Sequence, residues 1–101
     1  MKSVGGATLT KLPDDSILAS DPNPLGDAYS IVAEANVVGL RVIRLEALTH
    51  ESLPNRGPGR DGERDLGNFA LTDLRITAHG AGTPAVPLEF GQVAADYYFL
   101  D

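Results

Sequence analysis

The sequence predicts an all-β protein, an antiparallel β-sandwich, and three features of the chain indicate this fold. Short apolar runs alternate with polar residues, as in ATLTKL and AYSIVAEA, which is the period of a half-buried strand. Turn-forming residues separate these runs, notably at residues 13–16 and 21–27. β-Branched residues are frequent within the runs, which favours strands over helices. We therefore expect five to seven short strands in two antiparallel layers.

Length and composition indicate one ordinary globular domain over residues 1–101. The chain is 43% hydrophobic and 22% charged, as in folded soluble domains. Its net charge of −6 disfavours nucleic acid and anionic membrane surfaces as partners, since both attract basic proteins. No apolar run reaches the roughly 18 residues of a membrane span, and no signal-peptide pattern opens the chain. The absence of cysteine excludes disulfides and thiolate chemistry and leaves the compartment open.

The first third of the chain predicts a hairpin followed by a loop. ATLTKL and SILA read as two strands joined by the turn at residues 13–16, where proline presets φ and aspartate bonds its own backbone. Residues 21–27, DPNPLGD, are too rich in proline, glycine and aspartate to be a strand. AYSIVAEA then predicts a third strand, and Gly39 supplies the turn that follows it.

Three further strands are expected in the rest of the chain. Residues 40–48 carry apolar side chains on both faces and predict a central strand. Residues 69–78 form one apolar face only if a β-bulge near residues 72–73 shifts the alternation. Residues 86–95 predict the final strand. The tail at residues 96–101 carries four consecutive apolar side chains, YYFL.

A long polar loop at residues 49–67 separates two of these strands, and loops of this length tend to be functional or disordered. Its GPGR turn projects Arg60 outward, where the guanidinium could clamp an anion or carboxylate of a ligand. The alternative, which we favour, is that Arg60 pairs with loop acids or backbone carbonyls. We expect Asn68 to bond across the base of the loop, so that the loop is ordered.

Acidic residues in two loops are candidate calcium ligands. Asp61, Glu63 and Asp65 alternate along the chain and could direct oxygen ligands at a hard cation, although their spacing does not match an EF-hand. A solvated acidic loop without a cofactor is the favoured alternative. The acids and the amide of the loop at residues 21–27 form a second, weaker candidate.

Arg44 and Glu46 lie two residues apart in the predicted central strand and therefore on the same face. Charges within such a strand are costly unless they are paired or face a cleft. We favour a cross-strand ion pair at the rim of the core. The alternative is a concave sheet face on which both residues bond ligand hydroxyls.

Nothing in the sequence predicts catalysis, and we expect the protein not to be an enzyme. His50 and His79 each lie beside a loop and have no serine or cysteine partner in a recognisable motif. The segment GPGRDG lacks the spacing and the Lys-Ser/Thr ending of a phosphate-binding loop.

Five segments together resemble a known module, namely RLEAL, SLP, GPGR, GNFAL and the earlier GGATLTKLPDDSILAS. They are similar to a module of large multi-domain planctomycete proteins that also carry cytochrome c-like domains and domains of unknown function. The resemblance implies a jelly-roll sandwich of the galactose-binding or discoidin kind, an extracytoplasmic location and carbohydrate binding. It also implies further strands after residue 101, so this chain is expected to be either a shorter variant of the module or an incomplete sandwich.

Two functions are consistent with these features. The first is a non-catalytic binding module, with carbohydrate as the ligand and a site formed by Arg44, Glu46, Arg60 and Asn68. The alternative is a structural module that forms a homo-oligomer through residues 86–100 and has no small-molecule ligand, because an unpaired sheet edge invites pairing with another copy.

Overall fold

The computed structural model of the chain describes residues 1–36, 38–63, 66–80 and 82–95. In this part of the chain there is no α-helix, and the regular structure consists of short antiparallel strands and one 3-10 helix. The coarse prediction of an all-β protein is therefore confirmed. The strands are β1 (Lys2–Ser3), β2 (Thr8–Lys11), β3 (Ile17–Ser20), β4 (Tyr29–Ser30), β5 (Thr77–Ala78) and β6 (Val86–Pro87), and the 3-10 helix is Pro54–Arg56.

The chain divides into two compact units, Met1–Phe69 and Ala70–Asp101. In the first unit, β2 and β3 form the hairpin that the sequence predicts, with Thr8 opposite Ser20 and Lys11 opposite Ile17. Asp14 shapes its turn, because one carboxylate oxygen accepts hydrogen bonds from the backbone N–H and the hydroxyl of Ser16. The Leu12 N–H donates to the Ser16 carbonyl at 2.8 Å and closes the hairpin.

A second strand pair in this unit joins β1 to β4, with Lys2 opposite Ser30 and Ser3 opposite Tyr29. The pair holds the beginning of the chain beside the end of the loop at residues 21–27. The sequence did not predict β1, because a strand of two residues shows no alternation. The predicted strand AYSIVAEA is shortened to Tyr29–Ser30.

The described residues of the second unit contain one short strand pair, in which Thr77 lies opposite Pro87 and Ala78 opposite Val86. The Leu88 N–H donates to the Ile76 carbonyl at 2.8 Å, which extends the pairing by one bond. Thr83 closes the intervening turn, because its hydroxyl accepts from the Gly80 N–H at 2.8 Å. The predicted final strand at residues 86–95 is thus reduced to Val86–Pro87. The predicted apolar tail at residues 96–101 lies outside the described residues.

The strands predicted at residues 40–48 and 69–78 are wrong over most of their length. Residues 40–48 contain no strand, and residues 69–78 contribute only Thr77–Ala78. No ladder exists at residues 72–73 for the expected bulge to interrupt. Alternating apolar residues show which side chains favour burial, but a strand forms only when another strand satisfies its backbone hydrogen bonds. Among the described residues, no strand lies beside residues 40–48, and β6 lies beside only the last two residues of the segment at 69–78.

Burial in the described residues is correspondingly slight. No hydrophobic side chain is buried there, and the residues that are buried are Gly59 and Gly67, inside the loop at residues 49–67. The region with the closest packing is therefore the long loop and its contacts rather than a sheet core. No membrane-spanning helix is found in the described part of the chain, since none of its helical segments has the required length and apolar character.

Candidate functional site

The loop at residues 49–67 is held together by a series of local turns. The Leu53 N–H donates to the His50 carbonyl at 3.1 Å, and the Gly57 N–H donates to the Pro54 carbonyl at 3.0 Å across the 3-10 helix. Asn55 has a left-handed backbone with φ of 52°, which asparagine tolerates better than most residues. Its side-chain amide donates to the Leu66 carbonyl at 2.9 Å and ties the two halves of the loop together.

Close backbone contact between Gly59 and Gly67 forms the base of this loop. The Gly59 N–H donates to the Gly67 carbonyl at 2.7 Å, and the Gly67 N–H donates to the Asp61 carbonyl at 2.8 Å. A Cβ on Gly59 would collide with the Asn68 carbonyl, and a Cβ on Gly67 would collide with the Pro54 carbonyl. Gly67 also has φ of +89°, which disfavours other residues. The glycines thus allow two backbone segments to touch.

Arg60 connects this loop to the loop at residues 21–27. Its Nη2 donates to the Asp21 carbonyl at 2.7 Å, and its Nη1 lies 3.5 Å from the Tyr29 hydroxyl, the outer limit of a hydrogen bond. In return, the Asn23 side-chain amide donates to the Arg60 carbonyl at 3.0 Å. The expectation that a backbone carbonyl holds Arg60 is confirmed, but that carbonyl belongs to the other loop. We refer to the reciprocal bonds of Arg60, Asp21 and Asn23 as the Arg60 clamp.

The Arg60 clamp forms one wall of a surface cleft with a volume of about 370 Å³, which we call the Arg60 cleft. Its polar lining consists of side chains from three places in the first unit: Ser20, Asp21, Asn23, Ser52 and Arg60. Ala19, Leu53 and Pro54 add apolar surface. A cleft of this size, with five polar residues beside three apolar ones, can accept a small molecule that forms hydrogen bonds.

Two carboxylates organise the loop at residues 21–27. The Asp27 carboxylate accepts hydrogen bonds from the Ser3 hydroxyl at 2.5 Å and from the Gly5 and Ala28 N–H groups, each at 2.7 Å. The Asp21 carboxylate accepts one from the Thr8 hydroxyl at 2.5 Å. The weaker cation candidate at Asp21, Asn23 and Asp27 therefore has several of its polar groups engaged with the protein.

The hydrogen bonds to Asp27 lower the pKa of its carboxyl below the ordinary value of 3.8, with the Ser3 hydroxyl as the largest cause and the charge of Arg60 as a smaller one. A carboxyl whose pKa is lower in the folded protein stabilises the fold at any pH above its unfolded value. This stabilisation is lost as the pH falls from about 3.8 through the lower folded pKa.

We predict that Ser3→Ala raises the pKa of Asp27 towards its ordinary value, because the substitution removes the largest cause of the shift. An NMR titration of the side-chain carboxyl carbons measures this. Ser16→Ala is the matched control, since Ser16 lowers the pKa of Asp14 in the same way. It should move the Asp14 midpoint and leave Asp27 unchanged. An Asp27 midpoint that does not respond to Ser3→Ala contradicts the assignment.

Arg44 and Glu46 lie outside the Arg60 cleft and pair with each other at 2.6 Å. The expected cross-strand pair at the rim of a core is wrong, because residues 40–48 form no strand. The two side chains are 81% and 51% exposed, so their attraction is screened by water and contributes little stability.

Asn68 is also absent from the lining of the Arg60 cleft. Its side chain makes no hydrogen bond in the described residues, and Asn55 takes the bridging role across the loop that was expected of it. Of the four predicted ligand-binding residues, the structure places Arg60 in the cleft and does not bring Arg44, Glu46 and Asn68 to it.

The candidate calcium ligands form no cluster that can be described. Asp65 lies outside the described residues, and an Asp61 carboxylate oxygen accepts the Glu63 N–H at 2.9 Å as part of a local turn. Among the described residues, no three acidic or histidine side chains come together in a way that could hold a metal ion.

His50 contacts Ser52 through two bonds to one ring nitrogen. Its Nδ1 lies 2.7 Å from the Ser52 hydroxyl and accepts the Ser52 N–H at 3.0 Å. A serine beside a histidine is the arrangement of a nucleophile and its base. Here both bonds close a two-residue turn, and the single Nδ1 lone pair serves both donors. The arrangement is that of a turn capped by a histidine side chain.

Sequence reasoning missed Ser20, Ser52 and Tyr29 as neighbours of Arg60. The loop at residues 21–27 was recognised, and its Asn23 was considered only as a cation ligand. No periodic signal in the sequence marks a contact between residues of two irregular loops when those residues lie more than thirty positions apart. The one usable signal was the pair of loops itself, both rich in proline, glycine and hydrogen-bonding side chains.

Neither protein-family models, nor curated proteins, nor solved structures provide a match to this chain. The geometry of the Arg60 cleft and the exposed apolar segments are therefore the features that bear on function.

Proposed function

We propose that this chain is a non-catalytic binding module of a larger extracytoplasmic protein and that it binds carbohydrate in the Arg60 cleft. The observation that carries the proposal is the placement of Arg60, Asp21 and Asn23 around one cleft of about 370 Å³. The extracytoplasmic setting, the larger parent protein and its jelly-roll architecture rest on the resemblance to the planctomycete module.

The chemistry of the lining suits hydroxyl groups. Sugar hydroxyls donate and accept hydrogen bonds, so they favour sites that offer both kinds of partner. Arg60 retains donors beyond the two that reach the Asp21 carbonyl and the Tyr29 hydroxyl. Asp21 and Asn23 each keep a side-chain oxygen that accepts no hydrogen bond from the described residues. Because positive and negative groups are both present, a neutral saccharide fits the cleft better than a strongly charged one.

Rigidity supports the same proposal. The Arg60 clamp holds the cleft walls through hydrogen bonds from side chains to backbone carbonyls, and the contact of Gly59 with Gly67 adds a hydrogen bond between backbone groups. Little ordering is therefore needed when a ligand binds. Catalysis is not part of the proposal, because Ser52 and His50 form a local turn and Asp21, the acid in the cleft lining, accepts a hydrogen bond from the Thr8 hydroxyl.

Asp21→Asn tests the proposal without removing the clamp, since Arg60 contacts the backbone carbonyl of residue 21 and asparagine tolerates its left-handed φ of 64°. We expect carbohydrate affinity to fall about 10- to 100-fold, because hydrogen bonds to a charged group contribute about 1.5–3 kcal/mol. A glycan array identifies the ligand, and calorimetric titration measures its affinity, each with and without calcium. Binding should not require calcium.

Asp73→Asn is the matched control, since Asp73 is exposed and pairs with Arg75 in the second unit. Its affinity should equal that of the unmodified protein. The absence of any glycan ligand, or equal affinity for Asp21→Asn and the unmodified protein, contradicts the proposed site.

A second candidate function, an assembly module that associates with itself, is favoured by the surface area of the chain. The chain exposes 9150 Å². Two separately compact units of the observed lengths would expose about 6,500 Å² together, and one compact protein of this mass about 5,500 Å². An excess of this size, on a chain that exposes many large hydrophobic side chains, favours burial against another protein surface. Of the contact originally expected at residues 86–100, the part from residue 96 onward lies outside the described residues.

A further inference from the structure

The first unit contains a second groove, apart from the Arg60 cleft, with a volume of about 460 Å³. We call it the Met1 groove. Its apolar lining includes Met1, Ile17, Ile31 and Val32, and charged residues lie at its rim. Ile17 begins β3, whose other edge has no strand partner in the described residues. A groove with apolar walls beside a free sheet edge is the kind of surface that accepts an additional strand.

The same unit carries a segment with the character of such a strand. Residues 40–48 carry apolar side chains on both faces of the predicted strand, yet they form no strand in the structure. Val42 is 79% exposed and Leu45 is 60% exposed. An extended segment of this composition gains backbone hydrogen bonds and apolar burial when it pairs with a sheet edge.

We propose that residues 40–48 of one copy dock in the Met1 groove of a second copy, and that the exchange is reciprocal in a two-fold dimer. The inference rests on the second candidate function, self-association, and names its surfaces. A two-fold dimer makes the same contact twice, so each copy contributes one groove and one segment.

Charge at the two surfaces is complementary. Lys11 and Asp15 at the rim of the groove pair with each other at 3.2 Å, which leaves Glu34 as the groove acid without a partner in the described residues. In the segment, Arg44 is paired with Glu46, which leaves Arg41 as the cation without one. Docking brings the Glu34 carboxylate and the Arg41 guanidinium to the same interface, where opposite charges fix the register.

The available area is also sufficient. Stable interfaces bury about 1,200–2,000 Å² in total, or about 800 Å² from each partner. The chain exposes about 2,600 Å² more than two separately compact units of the same lengths. The excess exposed area is therefore larger than the area that each copy must bury when one apolar segment and one groove per copy dock.

Charge exchange tests the proposal on the full chain. Glu34→Arg alone and Arg41→Glu alone each place like charges at both contacts of a dimer, so we expect each variant to associate about tenfold more weakly than the unmodified protein. In an equal mixture of the two variants, both contacts of a mixed dimer carry opposite charges. Sedimentation velocity should therefore show dimers in the mixture at concentrations where each variant alone is monomeric.

Val42→Glu is the second test, because it places a charge in the docked segment, and Val4→Glu is its matched control. Val4 is 79% exposed and lies outside the Met1 groove, the docked segment and residues 86–100, so its substitution should leave association unchanged. Circular dichroism confirms that all variants keep the fold of the unmodified protein.

The outcomes separate this inference from the proposal on which it rests. A dimer that responds to neither charge exchange nor Val42→Glu overturns the docking in the Met1 groove and leaves self-association standing. A 10.6 kDa monomer at 100 μM overturns both. Docking of the segment in the groove of its own copy also overturns the inference. In that case, mixing the two charge variants does not restore dimers.

Discussion

Gly67→Ala is expected to disrupt the loop at residues 49–67 more than any other alanine substitution at a described glycine. Two costs combine at this position. Alanine is strained at a φ of +89°, and its Cβ would collide with the Pro54 carbonyl. The first cost is about 1–2 kcal/mol, and the second adds a similar amount because backbone must move. We expect a total on the order of 3 kcal/mol, roughly a hundredfold in the equilibrium for opening the loop.

Three other glycines separate the two costs. Gly59 has the collision, with the Asn68 carbonyl, and no left-handed φ. Gly39 has φ of +73° and nothing near its Cβ position. Gly26 has neither and is the matched control. The predicted order of destabilisation is therefore Gly67, then Gly59 and Gly39, with Gly26→Ala neutral or slightly stabilising because alanine reduces the freedom of the unfolded chain.

Amide hydrogen exchange measures the effect where it occurs. The Gly59 N–H and the N–H of residue 67 donate within the loop base, so their protection reports loop opening. Protection should fall in the Gly67→Ala and Gly59→Ala variants and stay unchanged in Gly26→Ala. Equal protection in all four variants would show that the backbone contact at the loop base does not hold the loop.

Arg60→Ala is expected to loosen both loops that line the Arg60 cleft while leaving the β2–β3 hairpin intact. The substitution removes the bond to the Asp21 carbonyl, a hydrogen bond from a charged donor. Such bonds contribute about 1.5–3 kcal/mol, and the partial exposure of Arg60 places the expected loss near the lower end, about tenfold in loop opening. Hydrogen exchange should accelerate at the Gly59 N–H and not at hairpin amides such as the Leu12 N–H.

Two variants show whether the geometry of Arg60 is responsible. Arg44→Ala also removes an arginine side chain, but from an exposed position where the partner is the nearby Glu46. Amide hydrogen exchange in the loops should therefore not change. Arg60→Lys keeps the charge and loses the planar fork, so it should recover only part of the protection. If Arg44→Ala accelerates loop exchange as much as Arg60→Ala does, the effect comes from net charge and the Arg60 clamp is refuted.

Local chemistry made the first hairpin predictable. The turn at residues 13–16 forms because Asp14 bonds to Ser16 two residues away, and β2 and β3 then pair across a short connection. The all-β character and the irregular loop at residues 21–27 follow from equally local preferences. The interaction of Arg60 with a backbone carbonyl was also predicted, since an exposed guanidinium has five donors to satisfy.

The sequence by itself determined the strand-forming character of the chain, the position of its turns and the two loops that carry its hydrogen-bonding groups. Only the tertiary structure decided which loops meet, because the bonds from Arg60 to residue 21 and from Asn23 to residue 60 span more than thirty residues. Tertiary structure also decided that residues 40–48 are not a strand in this chain. Apolar alternation is a property of one segment, whereas a strand requires a second segment to satisfy its backbone, and no periodicity in the first reveals whether the second is present.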